Sequence, residues 1–173
     1  MDATALRRLI RDIPDFPKPG ILFRDVTPLL LDPAALRAAV EAVAAPFRDA
    51  RVDRVLGIES RGFLLGPAVA LHLGAGFGLV RKGGKLPWNT HRVEYTLEYG
   101  SDAVEMHTDA VEPGQRVLVV DDLIATGGTA AAAVELVRRA GGTCVGASFL
   151  IELSALGGRA QLDGVPVHAV ITY

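Results

Sequence analysis

Two carboxylates, Asp121 and Asp122, stand side by side where the apolar run Val117-Leu118-Val119-Val120 ends. A loop follows in which Gly127 and Gly128 are flanked by Thr126 and Thr129. Glycines let a backbone take positive φ and come close to a ligand. The free N–H groups where a helix starts then face an anion, here a phosphate, and the two threonine hydroxyls add donors. The carboxylates cannot bind that phosphate themselves. They suit sugar hydroxyls, or a Mg2+ shared with the ligand. No Lys follows the glycines, so this is not a Walker A loop. A second polar loop, Glu59-Ser60-Arg61-Gly62-Phe63, also follows an apolar run. Beside another anion loop, Arg61 reads as a ligand for a pyrophosphate. A third stretch, from Arg81 to Arg92, is basic and dotted with turn residues, with Lys82, Lys85 and His91 among its side chains. A long charged loop within a compact domain reads as an active-site lid.

These groups need elements to hold them. Val117–Val120 has the β-branched, apolar character of a buried strand, and 130–139 reads as a helix. Strand, loop, helix is half of a βαβ unit, and ligands in open parallel sheets bind at the carboxyl ends of strands. The spacing of Leu6, Leu9, Ile10 and Ile13 predicts an amphipathic helix over 2–12, stopping before Pro14. The proline-rich segment 15–30 should be irregular, yet its apolar residues predict a packed flap. Asp32 is the expected N-cap of a helix with Pro33 at its first position and Leu36, Val40, Val43 and Phe47 on its buried stripe. Strands are expected over 54–58, up to Lys82, over 143–151 and over 167–172, with a helix from Phe63 to about Leu73. Val93, Tyr95, Leu97 and Tyr99 alternate with polar residues at strand period. Gly100-Ser101-Asp102 reads as a turn and 103–107 as the returning strand. Alternating strands and helices predict an α/β fold with a mainly parallel sheet.

Half of the 173 residues are hydrophobic, enough for one domain over 1–173 with a sizeable core. A formal net charge of −2 does not mark a nucleic-acid or membrane binder, so any anion site must be local. The N-terminus lacks the apolar core of a signal peptide, and no apolar run is long enough to span a bilayer. Cys144 is the only cysteine, expected to be a small core residue on a strand, and the default location is cytoplasmic. His72, His107 and His168 have no metal-ligand spacing.

The stretch from Val117 to Thr129 resembles the signature of the type I phosphoribosyltransferases, which bind phosphoribosyl pyrophosphate. Phe16 to Asp25, Glu59 to Phe63, Gly84-Lys85-Leu86-Pro87 and Leu97-Glu98-Tyr99-Gly100 extend the resemblance, in order and spacing, to the members that act on adenine. It covers nearly the whole chain. Trp88 stands where many members carry a basic or polar residue. The resemblance implies the type I phosphoribosyltransferase fold, with a mainly parallel central sheet flanked by helices. It implies an N-terminal helix and base-binding flap, or hood, over 1–32, and a flexible lid with a β-hairpin over 81–107. The implied reaction is purine salvage: adenine and phosphoribosyl pyrophosphate give AMP and pyrophosphate.

Roles follow from the same resemblance. Asp121 and Asp122 are to hold the ribose hydroxyls, and Ala125, Thr126, Gly127, Gly128 and Thr129 the 5-phosphate. Glu59, Ser60, Arg61, Arg81, Lys82 and Lys85 are to form the pyrophosphate site, some cations reaching in from a neighbouring subunit, with a cis peptide between Glu59 and Ser60. Leu22, Phe23 and Arg24 are to bind adenine. Glu98 is the implied acid/base residue, with Tyr99 beside it. Mg2+ is the implied cofactor, held mainly by substrate and water with no direct protein ligand. The implied assembly is a homodimer with small-molecule substrates and neither nucleic acid nor membrane as partner. Two alternatives stand: an enzyme for another purine base, and a non-catalytic regulator that senses phosphoribosyl pyrophosphate. The second needs an added DNA-binding module, for which the chain has no spare length before the flap.

Overall fold

The computed structural model describes residues 1–96 and 101–173. In chain order the elements are α1 (Ala3–Arg7), β1 (Arg11–Pro14), β2 (Leu22–Asp25), α2 (Thr27–Leu31), α3 (Pro33–Ala44), β3 (Arg54–Ile58), α4 (Gly62–Leu73) and β4 (Gly76–Lys82). Then come β5 (Thr90–Thr96), β6 (Ser101–His107), β7 (Arg116–Ile124), α5 (Gly128–Arg139), β8 (Thr143–Glu152) and β9 (Val167–Thr172). The main sheet has the order β5-β6-β4-β3-β7-β8-β9. From β4 to β9 neighbouring strands are parallel, and the β5–β6 hairpin adds an antiparallel edge.

The residues of β7 explain the layers. Side chains alternate across a strand, and β7 is apolar on both faces. Val117 and Val119 share a core with Ala133, Leu136 and Val137 of α5. Leu118 and Val120 share the opposite core with Val40 and Val43 of α3 and Leu65 and Val69 of α4. Asp32 caps α3 as its sequence predicts, with Oδ1 accepting from the N–H groups of Ala34 and Ala35 at 2.8 and 2.9 Å. Val40, Val43 and Phe47 are buried as expected.

This topology places the site. The chain leaves β3 through α4 to lay β4 on one side, then returns to lay β7 on the other. The strand order therefore reverses between β3 and β7, and a crevice opens beyond their carboxyl ends, where open α/β sheets bind ligands. The loops from Glu59 and from Ala125 both start there.

Four expectations need correction. The segment 2–12 is not one helix: α1 ends at Arg7, tight turns close at Leu9 and Ile10, and Arg11–Pro14 pairs with β2. Leu6 and Ile10 are buried as the spacing requires, but pairing with β2 satisfies the backbone after Ile10 better than a further turn ending at Pro14. The flap is not wholly irregular, since it contains β2 and α2, nor fully packed, since Phe16, Ile21 and Leu22 are exposed. Among the described residues β2 pairs with β1 alone. Ser101 and Asp102 belong to β6, paired with Thr96 and Tyr95, rather than to a turn. Cys144 is on a strand but only half-buried.

Candidate active site

The carboxylates lie inside β7, not at its end. The strand runs on to Ile124, while its pairing with β3 stops at Val120. Asp121 and Asp122 therefore stand beyond the edge of β3. Successive strand residues point opposite ways, and the two side chains meet different partners. Asp121 helps line a cleft of about 250 Å³ together with Glu59, Lys82 and the loop from Ala125 to Thr129. Asp122 is buried and ion-paired with Nε of Arg61. Burial, and then the neighbouring Asp122 charge, push the Asp121 carboxyl well above the ordinary carboxylate range.

The loop from Ala125 to Thr129 is tightly backed. Gly127 has φ +84° and occupies the N-cap position of α5. A Cβ there would run into the carbonyl oxygen of Gly158 and lie 2.9 Å from its carbon. A Cβ on Gly158 would in turn meet the Ala125 carbonyl oxygen and lie 2.9 Å from the Gly127 nitrogen. Two backbones thus touch where neither residue has a side chain.

Glu59 organises the cations. The Glu59–Ser60 peptide is cis, as the resemblance implies. The Glu59 carboxylate accepts from Arg81 Nε at 3.1 Å, from the Lys82 N–H at 3.0 Å and from Lys85 Nζ. Burial alone would raise its pKa, but the bonds from Lys85, Arg81 and the Lys82 backbone override burial and hold it at about 2. Lys82 is paired with Asp102, which raises the lysine and lowers the aspartate. Asp102 also accepts from the Tyr95 hydroxyl at 3.2 Å, and that oxygen accepts from Thr129 Oγ1 at 3.1 Å. The hairpin is thereby joined to the first turn of α5. At the foot of the lid Glu105 accepts from the Gly84 N–H and from Arg92 Nη1, both at 2.9 Å.

The flap approaches from the other side. The Arg61 guanidinium lies 5.2 Å from the Phe23 ring centroid, and Phe23 meets Phe16 edge-on at 5.1 Å. The Arg24 side chain pairs with Asp12 and stacks on Tyr173. Because β2 has a partner on one edge only, half of its N–H and C=O groups face outward.

The phosphoribosyl transferase domain model matches residues 29–162. An adenine phosphoribosyltransferase from Parvibaculum lavamentivorans is 59% identical over 95% of this chain and 94% of its own. The chain belongs to the phosphoribosyltransferase family, among its adenine phosphoribosyltransferases. The crystal structure of adenine phosphoribosyltransferase from Rhodothermus marinus superposes with a TM-score of 0.95 at 56% identity, covering 99% of this chain and 98% of that one. That from Saccharomyces cerevisiae, complexed with an imino-altritol bisphosphate and adenine, gives 0.93 at 41% identity, covering 97% of each chain. The sheet and its flanking helices are the type I phosphoribosyltransferase fold.

Within this phosphoribosyltransferase Glu59, Lys82, Asp121 and the loop from Ala125 to Thr129 line one cleft, Asp122 is paired with Arg61, and Leu22, Phe23 and Arg24 stand on the flap. Glu98 and Tyr99 lie outside the described residues. Sequence reasoning missed Asp102, Tyr95, Glu105 and Gly158. The signal for Asp102 was weak because Gly100 and Ser101 drew it into a turn. Gly158 had only its neighbour Gly157 as a signal, since its role is to leave room for another backbone.

The Glu59 cluster has a consequence for acid stability. A carboxyl depressed from 4.5 to about 2 in the folded protein stabilises it fully above the unfolded pKa, and that contribution is lost as pH falls through the folded one. Glu59→Gln is therefore expected to be less stable than wild type at pH 7. It should also lose less stability than wild type between pH 4.5 and about 2. Urea unfolding across that range checks both. Parallel pH profiles would show that Glu59 carries no such linkage.

Proposed function

We propose that this protein is a single-domain enzyme over 1–173 that transfers the 5-phosphoribosyl group from phosphoribosyl pyrophosphate to adenine, forming AMP and pyrophosphate. The observation that carries the reading is identity of 59% to an adenine phosphoribosyltransferase over 95% of the chain, flap included as well as cleft. The geometry supports it. Breaking the anomeric C–O bond builds positive charge on the ribose and negative charge on the departing pyrophosphate. Asp121 faces the ribose hydroxyls from the floor of the cleft, and Asp122 acts through Arg61. Cations fixed beside the departing pyrophosphate, where negative charge develops, are what such a transition state needs.

Ala125 to Thr129 hold the 5-phosphate through the N–H groups at the start of α5, with Thr126 and Thr129 adding hydroxyls. Arg61, Arg81, Lys82 and Lys85 serve the pyrophosphate, with Ser60 at the cis peptide. In the free protein each of these four cations already has a carboxylate partner, so Glu59, Asp102 and Asp122 orient them before substrate arrives. Mg2+ is the proposed cofactor. The described residues hold no cluster of three or more His, Cys, Asp or Glu that could cage it. Asp121 and Glu59 both line the cleft, and Glu59 is already engaged by Arg81, Lys85 and the Lys82 N–H, which fits an ion that keeps its waters and is held mainly by substrate oxygens. When bound, Mg2+ neutralises charge on the leaving pyrophosphate. The assembly is a homodimer, for which the exposed Leu64 and Leu71 of α4 offer apolar surface. Its compartment is the cytoplasm, where a lone thiol such as Cys144 stays reduced.

Glu98 acts on the purine ring nitrogens, with Tyr99 beside it. Glu98→Gln is expected to keep nucleotide binding and lower turnover by about 10²–10⁴, the usual effect of losing a general acid or base. Near wild-type turnover would remove Glu98 from the mechanism. The reading as a whole is tested by AMP formation from adenine and phosphoribosyl pyrophosphate with Mg2+; no AMP from a folded preparation would refute it.

A further inference from the structure

We propose that Tyr173 is a positioning residue for the base flap. The proposal rests on the reading of Leu22–Arg24 as the segment that binds adenine. Two guanidiniums stack on the Tyr173 ring, with Cζ of Arg24 3.8 Å and Cζ of Arg7 4.1 Å from its centroid. The face of an aromatic ring attracts a cation held over it.

The ring is fixed to the body of the protein. The Tyr173 N–H donates to the Glu152 carbonyl at 2.9 Å, and its carbonyl accepts from the Ser154 N–H at 2.9 Å and the Ser154 hydroxyl at 2.6 Å. Leu153, between them, donates its N–H to the Ile124 carbonyl at 3.0 Å, directly before the phosphate loop. Arg7 is steadied by a bond from Nη1 to the Thr172 carbonyl at 2.9 Å. Tyr173 is thus referenced through two short backbone links to the loop that holds the other substrate.

The flap needs such a reference. A two-stranded ribbon is marginal by itself, and β2 pairs only with β1 among the described residues. The Arg24–Asp12 pair ties the two strands to each other, not to the body. Asp25 secures the end of β2 by accepting from the Thr27 N–H at 2.9 Å. The stack on Tyr173 is the contact by which Arg24 itself meets the residue that follows β9. Arg24 lies two residues from Leu22, so its placement sets where the main-chain groups of both residues stand. A preorganised donor and acceptor bind more tightly than a pair ordered on binding.

The test compares wild type with Tyr173→Leu, Tyr173→Phe, Arg24→Met and Leu22→Pro. KM for adenine, kcat, and Kd for phosphoribosyl pyrophosphate by calorimetry are measured for each. Tyr173→Leu is expected to raise KM for adenine about tenfold, near the upper range of a cation–π contact, with kcat and Kd within about twofold. Tyr173→Phe keeps the ring and should match wild type. Arg24→Met removes the cation and leaves the ring, and should repeat the rise even if Tyr173→Leu does not fold. The proposal fails if Tyr173→Leu matches wild type, if Phe is as impaired as Leu, or if Kd for phosphoribosyl pyrophosphate rises in parallel. Leu22→Pro removes a flap N–H without touching the stack. If it leaves KM for adenine unchanged, the base-reading role of the flap is wrong, whatever Tyr173 does.

Discussion

Gly127→Val is expected to abolish binding of phosphoribosyl pyrophosphate in a protein that still folds. Two independent effects act at this position. The backbone has φ +84°, a region that β-branched residues avoid. The added Cβ would also meet backbone atoms of Gly158, with the carbonyl carbon at 2.9 Å and the α-carbon at 3.0 Å. A clash with backbone cannot be relieved by a rotamer change, so the loop itself must move. Its N–H groups then no longer converge on the phosphate at the start of α5. Gly158→Ala should cause a similar loss from the other side, because its Cβ would meet Ala125 and Gly127. Titration calorimetry measures the binding, and circular dichroism confirms the fold. Unchanged affinity in a folded Gly127→Val protein would mean that the loop is a turn and nothing more.

The second large effect is base choice. We expect kcat/KM for adenine to exceed that for hypoxanthine or guanine by about 10⁴ or more, the range reached when a site is built on hydrogen bonds that the wrong ligand cannot make. Adenine presents an amine donor beside N1, an acceptor, while the other two bases present the reverse. One outward N–H and one outward C=O on β2 match the adenine pair without a charged side chain. Phe16, Ile21 and Leu22 are exposed in the free protein, and a flat base laid on them would cover that surface and exclude water from the polar contacts. A wrong base would leave buried groups unpaired. Changing only the side chain of Leu22 should weaken binding and leave the preference in place. Comparable kcat/KM with hypoxanthine, or a preference that switches with the Leu22 side chain, would show that main-chain groups do not read the base.

What the sequence determined by itself is local. The run from Arg54 to Ile58, the cap at Asp32 and the strand over Val167–Thr172 carry their own signals, because period, capping chemistry and chain punctuation act within a few residues. The loop from Ala125 to Thr129 is legible for the same reason, since glycines next to a helix start specify a backbone shape. What only the tertiary structure decided is pairing at a distance. Residues 8–14 follow a helical spacing, yet Arg11–Pro14 becomes a strand because β2 offers it hydrogen bonds. Asp121 and Asp122 look equivalent in the sequence, but alternation along β7 sends one into the cleft and the other onto Arg61. The resemblance gives Glu59 to the pyrophosphate site, and only the fold shows that it gathers Arg81 and Lys85 from the end of β4 and the loop after it. Gly158, Asp102 and Tyr173 act only on residues remote in the chain. Their partners are brought together by the reversal of strand order between β3 and β7, and by strands and loops packed beside it, and no window of sequence contains that geometry.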